Sequence, residues 1–187
     1  TKSNKSSFHG SGREDIDARC LGWRPFVLEF LEPKKRDIKI NSLPKRIAPA
    51  VRVRKMRFSD IAEVRRIKEA KCDKTYSLVV ECKKPVNKSE LKKLSFIASV
   101  NQRTPERVLH RRADKLRRRK VKSLKVKVLG KKKFLLTVTC EAGLYVKELV
   151  HGDNGRTKPS IAELLGTECV PKDLDVLKIH VKQIIES

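Results

Sequence analysis

Acidic side chains are in short supply in this sequence: 22 Asp and Glu face 46 Lys and Arg among 187 residues, a net charge of +24. A solvated surface of the heat-adapted kind carries Glu in numbers close to Lys. The deficit therefore favours a polyanionic partner, with nucleic acid first. Paired cysteines are missing too. Cys20, Cys72, Cys82, Cys140 and Cys169 are odd in number and form no C-x-x-C, which argues against a zinc knuckle or a disulfide framework and suits a reducing cytosol or nucleus. Most of them fit as small core residues. There is no run of about 18 apolar residues to span a bilayer as a helix. The signatures G-x-x-x-x-G-K-[ST], G-x-G-x-x-G and G-x-S-x-G are absent. His110 and His151 lack metal-ligand spacing, so neither receives a metal or a base role. The chain opens Thr-Lys-Ser-Asn with neither a methionine nor an apolar signal segment, as a piece cut from a longer protein would.

What is present is a foldable pattern. Apolar residues make up 39% of the chain, enough for a real core at this length, and the expected domain covers residues 1–187. The first two dozen residues read as a loop. Phe26 to Leu31 reads as a strand that stops before Pro33, and Val51 to Arg54 alternates as a half-buried strand should. Ser59 is placed to cap a helix in which Ile61, Val64 and Ile67 share a face. Tyr76 to Cys82 is rich in strand formers, and Lys88 to Ile97 suits a short helix. Leu124, Val126 and Val128 alternate with Lys, then Gly130 and three lysines turn the chain into Phe134 to Cys140, an antiparallel hairpin. Helices are expected after Gly143 and near Pro159, and a last strand over Val176 to Val181. Strands in groups with helices between them, without a βαβ rhythm, predict an α+β domain on a mixed, largely antiparallel sheet.

Charge is concentrated between Arg103 and Lys133, where fifteen Lys or Arg face only Glu106 and Asp114. Arg111-Arg112 and Arg117-Arg118-Arg119 are dense enough to follow a phosphate backbone. A nuclear-import signal and a solvated face compete with this, but the interspersed Val108, Leu109, Leu116 and Val121 indicate an ordered, RNA-facing element. Aromatics are scarce in it, so it reads as a backbone clamp rather than a base-stacking platform.

Three segments could carry chemistry. Ser11 to Arg19 is a striped cluster of both charge signs after a flexible Gly: either a surface turn with local salt bridges, or a carboxylate held beside cations and facing a substrate. Glu141 to Leu149 places Gly143 at a change from strand to helix, where another backbone or a ligand can approach closely; an ordinary helix start with Tyr145 in the core is the alternative. Gly155 to Ser160 is compatible with a loop that touches phosphate.

Together these segments resemble a family. Gly12-Arg13-Glu14-Asp15 is similar to the G-R-x-D catalytic motif of pseudouridine synthases. Its extension, Asp17-Ala18-Arg19 with Leu21-Gly22 and Arg24-Pro25-Phe26, resembles the archaeal and eukaryotic Pus-ten branch. So do Asn101-Gln102-Arg103-Thr104-Pro105 with Arg107-Val108 and His110-Arg111-Arg112, and Gly143 to Asp153 followed by Gly155-Arg156-Thr157-Lys158-Pro159. The likeness runs from Phe8 to Leu174-Asp175-Val176. One departure stands out: the family's L-G-x-G-R-P-F is one residue shorter here, Leu21-Gly22-Trp23-Arg24-Pro25-Phe26.

The resemblance implies the pseudouridine synthase fold and a tRNA pseudouridine synthase without cofactor or metal, acting on uridines 54 and/or 55 of the T-arm. Asp15 would be the catalytic carboxylate, with Asp17 its rival on spacing alone. Lys147 would pair with Asp15, since an adjacent cation stabilises and aims a partly buried carboxylate. Tyr76 would stack on the target base, where the residues alone fit a strand tyrosine in the core equally, and Ile161, Leu164 and Leu165 would wall the pocket. Arg13, Arg103, Arg107, Arg111, Arg112, Arg117, Arg118, Arg119 and Arg156 would meet RNA. The implied protein is a monomer whose partner is tRNA, with no membrane, located in the cytoplasm of an archaeon or the nucleus and cytoplasm of a eukaryote. An N-terminal RNA-binding module would precede this catalytic portion. The reading from another class is a non-catalytic RNA-binding or ribosome-associated basic protein.

Overall fold

A computed structural model describes residues 1–181. In chain order its elements are β1 (Lys5–Gly10), β2 (Arg19–Cys20), β3 (Phe26–Leu31), α1 (Leu43–Ile47), α2 (Ile61–Glu69), β4 (Asp73–Cys82), α3 (Lys88–Lys93), β5 (Ser99–Arg103), β6 (Leu116–Gly130), β7 (Lys133–Cys140), α4 (Val146–His151), β8 (Thr157–Lys158), α5 (Ile161–Leu165) and β9 (Cys169–His180). Contacts divide the described chain into two compact units: Thr1–Arg13 with Arg24–Ala70, and Glu14–Trp23 with residues 71–181.

In the first unit β1 and β3 form an antiparallel ribbon in which Phe8 lies opposite Leu28 and stacks on Phe26 at 5.4 Å. The expected loop at the start of the chain is therefore partly strand. Only the pairing with β3 makes it so, because Lys5–Gly10 contains a single large apolar residue. Helix α2 buries Val64 and Ile67, but Ile61 is 61% exposed and leaves that face. Its cap is Asp60 rather than Ser59: the Asp60 carboxylate accepts from the Glu63 amide at 2.7 Å, and Ser59 instead donates to the Glu63 side chain. Val51 to Arg54 forms no strand. With Val51 56% exposed, its alternation has neither a buried face nor a ladder to join. Arg24 donates to the Gly12 carbonyl at 2.6 Å, and Ser11 donates its amide to the Pro25 carbonyl at 3.0 Å. Arg24 and Pro25 thus hold Ser11 and Gly12 within this unit.

The second unit is built on a seven-stranded sheet in the order β2-β9-β4-β7-β6-β5-β8. Only β2 with β9 is parallel; the remaining pairs are antiparallel. The α+β, largely antiparallel expectation matches this arrangement. Buried and half-exposed residues alternate along β4 and β7, so one face of the sheet is core. Leu78, Val80, Phe134, Leu136, Val138 and Val176 are fully buried there, each worth about 1.5–3 kcal/mol of burial. Helix α4 adds Val146, Leu149 and Val150 to that core, and Ser160 caps α5 with a reciprocal Glu163 contact. Cys72, Cys82, Cys140 and Cys169 are buried free thiols, while Cys20 is exposed. Burial pushes the Cys140 thiol up to about 12, so it behaves as a small apolar residue.

Candidate active site

The Glu14–Gly22 loop is tied down at both ends. Lys74 sits on the core face of β4 with its side chain 10% exposed, and an ammonium there needs a carboxylate. Glu14 supplies one at 2.5 Å, itself 10% exposed. At the far end the amides of Leu21 and Gly22 both donate to the Val176 carbonyl, at 2.9 and 3.0 Å. Glycine is required at Gly22 because a Cβ would lie 2.4 Å from the Leu177 carbonyl oxygen. Arg19 adds a bidentate grip on Asp175, Nε to Oδ1 at 2.7 Å and the terminal nitrogen to Oδ2 at 2.8 Å. Between these anchors the Ala18 amide donates to the Asp15 carbonyl at 3.1 Å, closing a turn that carries Asp15 and Asp17.

The partners of those two carboxylates come from α4 and from the turn before β6. Arg107 donates to Asp15 Oδ1 at 2.8 Å and, through Nε, to Glu148 Oε1 at 2.6 Å. Glu148 is completely buried, so its charge is tolerable only because the guanidinium meets it. Arg107 also lies 5.9 Å from the ring centroid of Tyr145, within reach of a cation–π contact. Burial by itself would lower the affinity of Arg107 for its proton, but the hydrogen bonds to Glu148 and Asp15 outweigh it and raise that affinity further.

Successive helical residues point roughly 100° apart, so Lys147 turns away from its buried neighbour Glu148. Its Nζ donates to both oxygens of Asp17, at 2.6 and 2.8 Å, and stands 3.7 Å from Asp15 Oδ2. The Lys147–Asp15 contact expected from the sequence thus exists as a longer ion pair, and Arg107 holds the hydrogen bond to Asp15. Hydrogen bonding by Lys147 holds the Asp17 carboxyl below its ordinary value of 3.8, against a smaller opposing effect of burial.

The start of α4 is fixed by an amide clamp. Gln102, 2% exposed, accepts from the Tyr145 amide at 2.8 Å and donates to the Tyr145 carbonyl at 3.0 Å and to Thr157 at 3.1 Å. At its other end Gly152 takes φ +85°, a left-handed cap, and a Cβ there would come within 2.8 Å of the Ser160 hydroxyl. Lys147 and Glu148 therefore project from a rigid segment.

The remaining expected site residues separate by exposure. Tyr76 is buried on the same strand face as Lys74, opposite Val138 on β7 and Val176 on β9. Ile161 is fully buried and Leu165 nearly so, whereas Leu164 is 37% exposed. Arg103 and Arg156 share Asp114, at 3.1 and 2.6 Å. Arg112 donates to the Tyr145 hydroxyl at 3.2 Å, and Arg13 and Arg111 are exposed. The run Arg117-Arg118-Arg119 lies in a strand and is split between faces: Arg117 and Arg119 are half-buried and Arg118 is exposed. Arg117 donates to Thr104 Oγ1 at 3.1 Å, whereas Arg118 donates to Ser99 at 3.1 Å, beside a shallow groove lined by Ala98, Ser99, Lys120 and Glu141.

Sequence reasoning gave Glu148 and Glu14 no role of their own and read Arg107 as one of the RNA-facing cations. The signal for Glu148 was its setting, an acid among Leu144, Val146, Leu149 and Val150. An acid so placed has to be matched by a buried cation.

The family described as Pus10, C-terminal, matches residues 1–180. The chain is 45% identical over 179 residues to a protein of Methanothrix thermoacetophila named tRNA pseudouridine synthase Pus10, covering 92% of this chain and 40% of that one. A protein of the same name from Methanocaldococcus jannaschii is 43% identical over 192 residues, covering 100% of this chain and 42% of the relative. The chain thus spans well under half the length of these relatives. Among solved structures, a chain of a Cbf5-Nop10-Gar1 complex aligns at 24% identity and a TM-score of 0.48, over 57% of this chain and 30% of that one.

Proposed function

The chain belongs over residues 1–180 to the family described as Pus10, C-terminal, and from that premise we propose that it carries the catalytic site of a tRNA pseudouridine synthase. The observation that supports the reading most is the hydrogen bond at 2.8 Å that holds Asp15, the aspartate of the G-R-x-D motif, to a guanidinium locked by a buried glutamate. A non-catalytic RNA clamp has no use for a carboxylate aimed in this way amid so many cations.

In the proposed reaction a uridine of tRNA is turned out of its stack, at a cost of a few kcal/mol of stacking, offset by phosphate contacts to Lys and Arg. Asp15 acts at the ribose as the N1–C1′ bond breaks. The freed uracil rotates and C5 bonds to C1′, after which C5 loses its proton and N1 gains one. Product and substrate are isomers of equal oxidation state, so the chemistry calls for no redox cofactor. Arg107, held by Glu148, keeps Asp15 in register, and Lys147 neutralises the second acid, Asp17. Tyr76 is the base-stacking residue in this reading, and Leu164 the exposed apolar residue of α5. The proposed targets are the T-arm uridines at positions 54 and 55.

Incubating the chain with an unmodified tRNA transcript and mapping pseudouridine tests the proposal. Pseudouridine in the T-arm is the expected result. Intact tRNA binding with no pseudouridine at any position would replace it with the RNA-binding reading.

A further inference from the structure

The sheet of the second unit has a face on which β4 and β7 carry no buried residue, the reverse of the one on which Lys74 anchors the Asp15 loop. Directly opposed residues of an antiparallel pair share a face, so the registers assign its members. One transverse row runs Lys127, Leu135, Val79, Lys172 across β6, β7, β4 and β9. Lys125 on β6 stands in the next row, with Thr137 and Ser77, and Lys178 on β9 in the row after that, with Thr139 and Thr75. Three strand spacings separate β6 from β9, about 14 Å. All four lysines are exposed, and none forms an ion pair among the described residues. Between them lies a floor of Val79 and Leu135 and of short hydroxyl side chains, Thr75, Ser77, Thr137 and Thr139, each half-buried.

Three acids of this face already have cations. Arg19 takes Asp175, Lys133 takes Glu81 at 3.1 Å, and Lys122 takes Asp73. Four lysines without an ion pair among the described residues remain, on two strands either side of a shallow hydroxyl-bearing trough. Its registered strand positions carry no Phe, Tyr or Trp, and their one ring, His180, is bonded to Thr75 at 2.9 Å, so the face offers little for bases to stack on. A helical RNA presents a wide, shallow groove flanked by two phosphate backbones and lined by 2′-hydroxyls. Lysine rows on either side of a hydroxyl floor complement that shape.

We propose that this open sheet face, with Lys125, Lys127, Lys172 and Lys178 on its two sides, binds the backbone of a double-helical RNA arm at a place separate from the Asp15 site. The proposal rests on the reading of the chain as an enzyme of structured RNA and deepens it: the arm held here is not the segment that presents the target uridine.

The test uses a fully paired RNA duplex of about 16 base pairs, long enough to span two successive grooves, and an unpaired oligouridylate of the same length. Both are titrated at several salt concentrations against the chain carrying Asp15→Asn, with and without Lys125→Glu, Lys127→Glu, Lys172→Glu and Lys178→Glu together. A Gln version of the same four substitutions guards against effects of added negative charge, and an unchanged thermal midpoint verifies folding. Each lost phosphate contact removes roughly 0.9 from the logarithmic salt slope, so the duplex slope is expected to fall by about 3 to 4 while oligouridylate binding falls much less. Unchanged duplex affinity and slope in both variants would overturn the proposal, as would equal losses for the two RNAs. Pseudouridine formation is scored separately on the transcript. An active enzyme whose duplex binding ignores the four lysines overturns this site alone. Lysine-dependent duplex binding by a chain that forms no pseudouridine leaves the site standing and removes the catalytic reading.

Discussion

Glu148 accepts a hydrogen bond from Arg107 at 2.6 Å with its carboxylate sealed from solvent, and Arg107 passes that fixed position on to Asp15. A guanidinium suits this because its rigid planar fork fixes the angle between its two carboxylate partners, whereas the donors of an ammonium rotate freely. Glu148→Gln should therefore weaken the grip on Arg107 and let Asp15 drift. A misplacement on the order of 1 Å costs about 100-fold in rate. Arg107→Lys should show a similar loss with less damage to stability. Single-turnover rates at saturating tRNA measure this, and a rate for Arg107→Lys equal to wild type would remove the positioning role.

Glu14 and Lys74 form the other buried pair, and here the expected consequence is stability. Breaking such a pair from one side costs about 3–5 kcal/mol, whereas replacing both partners with apolar residues is often tolerated. Lys74→Met alone should lower the thermal midpoint clearly. Lys74→Met combined with Glu14→Leu should recover part of the loss. Thermal unfolding followed by circular dichroism distinguishes this from two independent, additive losses.

Asp17 offers a test by pH. Its carboxyl is held below the ordinary value of 3.8 chiefly by the hydrogen bond from Lys147. A group whose pKa is lower in the folded than in the unfolded chain stabilises the fold above the unfolded value, and that contribution disappears as pH falls through the folded one. The Asp17 side chain is 62% exposed, so solvent screens the effect on stability and the titration itself is the better readout. Carboxyl NMR should show Asp17 titrating below 3.8, and Lys147→Met should move it upward. No movement would mean that Lys147 does not hold Asp17 in solution.

Much of the sheet was legible in the sequence because it rests on local alternation. Phe134, Leu136, Val138 and Cys140 repeat at a period of two and are all buried, and Gly130 with its lysines marks the turn where the structure puts it. β1 was not legible, because a segment with one aromatic becomes a strand only beside its distant partner. The carboxylate pairing was beyond sequence for the same reason. Arg107 and Asp15 lie 92 positions apart, and nothing local says that the fold gives Asp15 to the arginine and Asp17 to Lys147. Exposure was equally hidden: Ile161 and Leu164 read alike as apolar residues of one helix, yet only Leu164 reaches the surface.

The arginine run on β6 makes a sharper prediction in the structure than in the sequence. Alternation along the strand puts Arg118 on the face opposite Arg117 and Arg119, so the three cannot follow one phosphate backbone together. Single charge reversals should therefore differ in their effect on the salt dependence of tRNA binding, each lost contact lowering the slope by roughly 0.9. Equal effects from Arg117→Glu and Arg118→Glu would show that RNA engages both faces of the strand.

The most direct test of the catalytic reading compares Asp15→Asn with Asp17→Asn in single-turnover pseudouridine formation on an unmodified tRNA transcript. Both substitutions keep the shape of the side chain and remove its charge. Asp15→Asn is predicted to abolish isomerisation while tRNA affinity stays near wild type, and Asp17→Asn to retain most of the rate. Turnover by Asp15→Asn at the wild-type rate, or a greater loss from Asp17→Asn, would contradict the account.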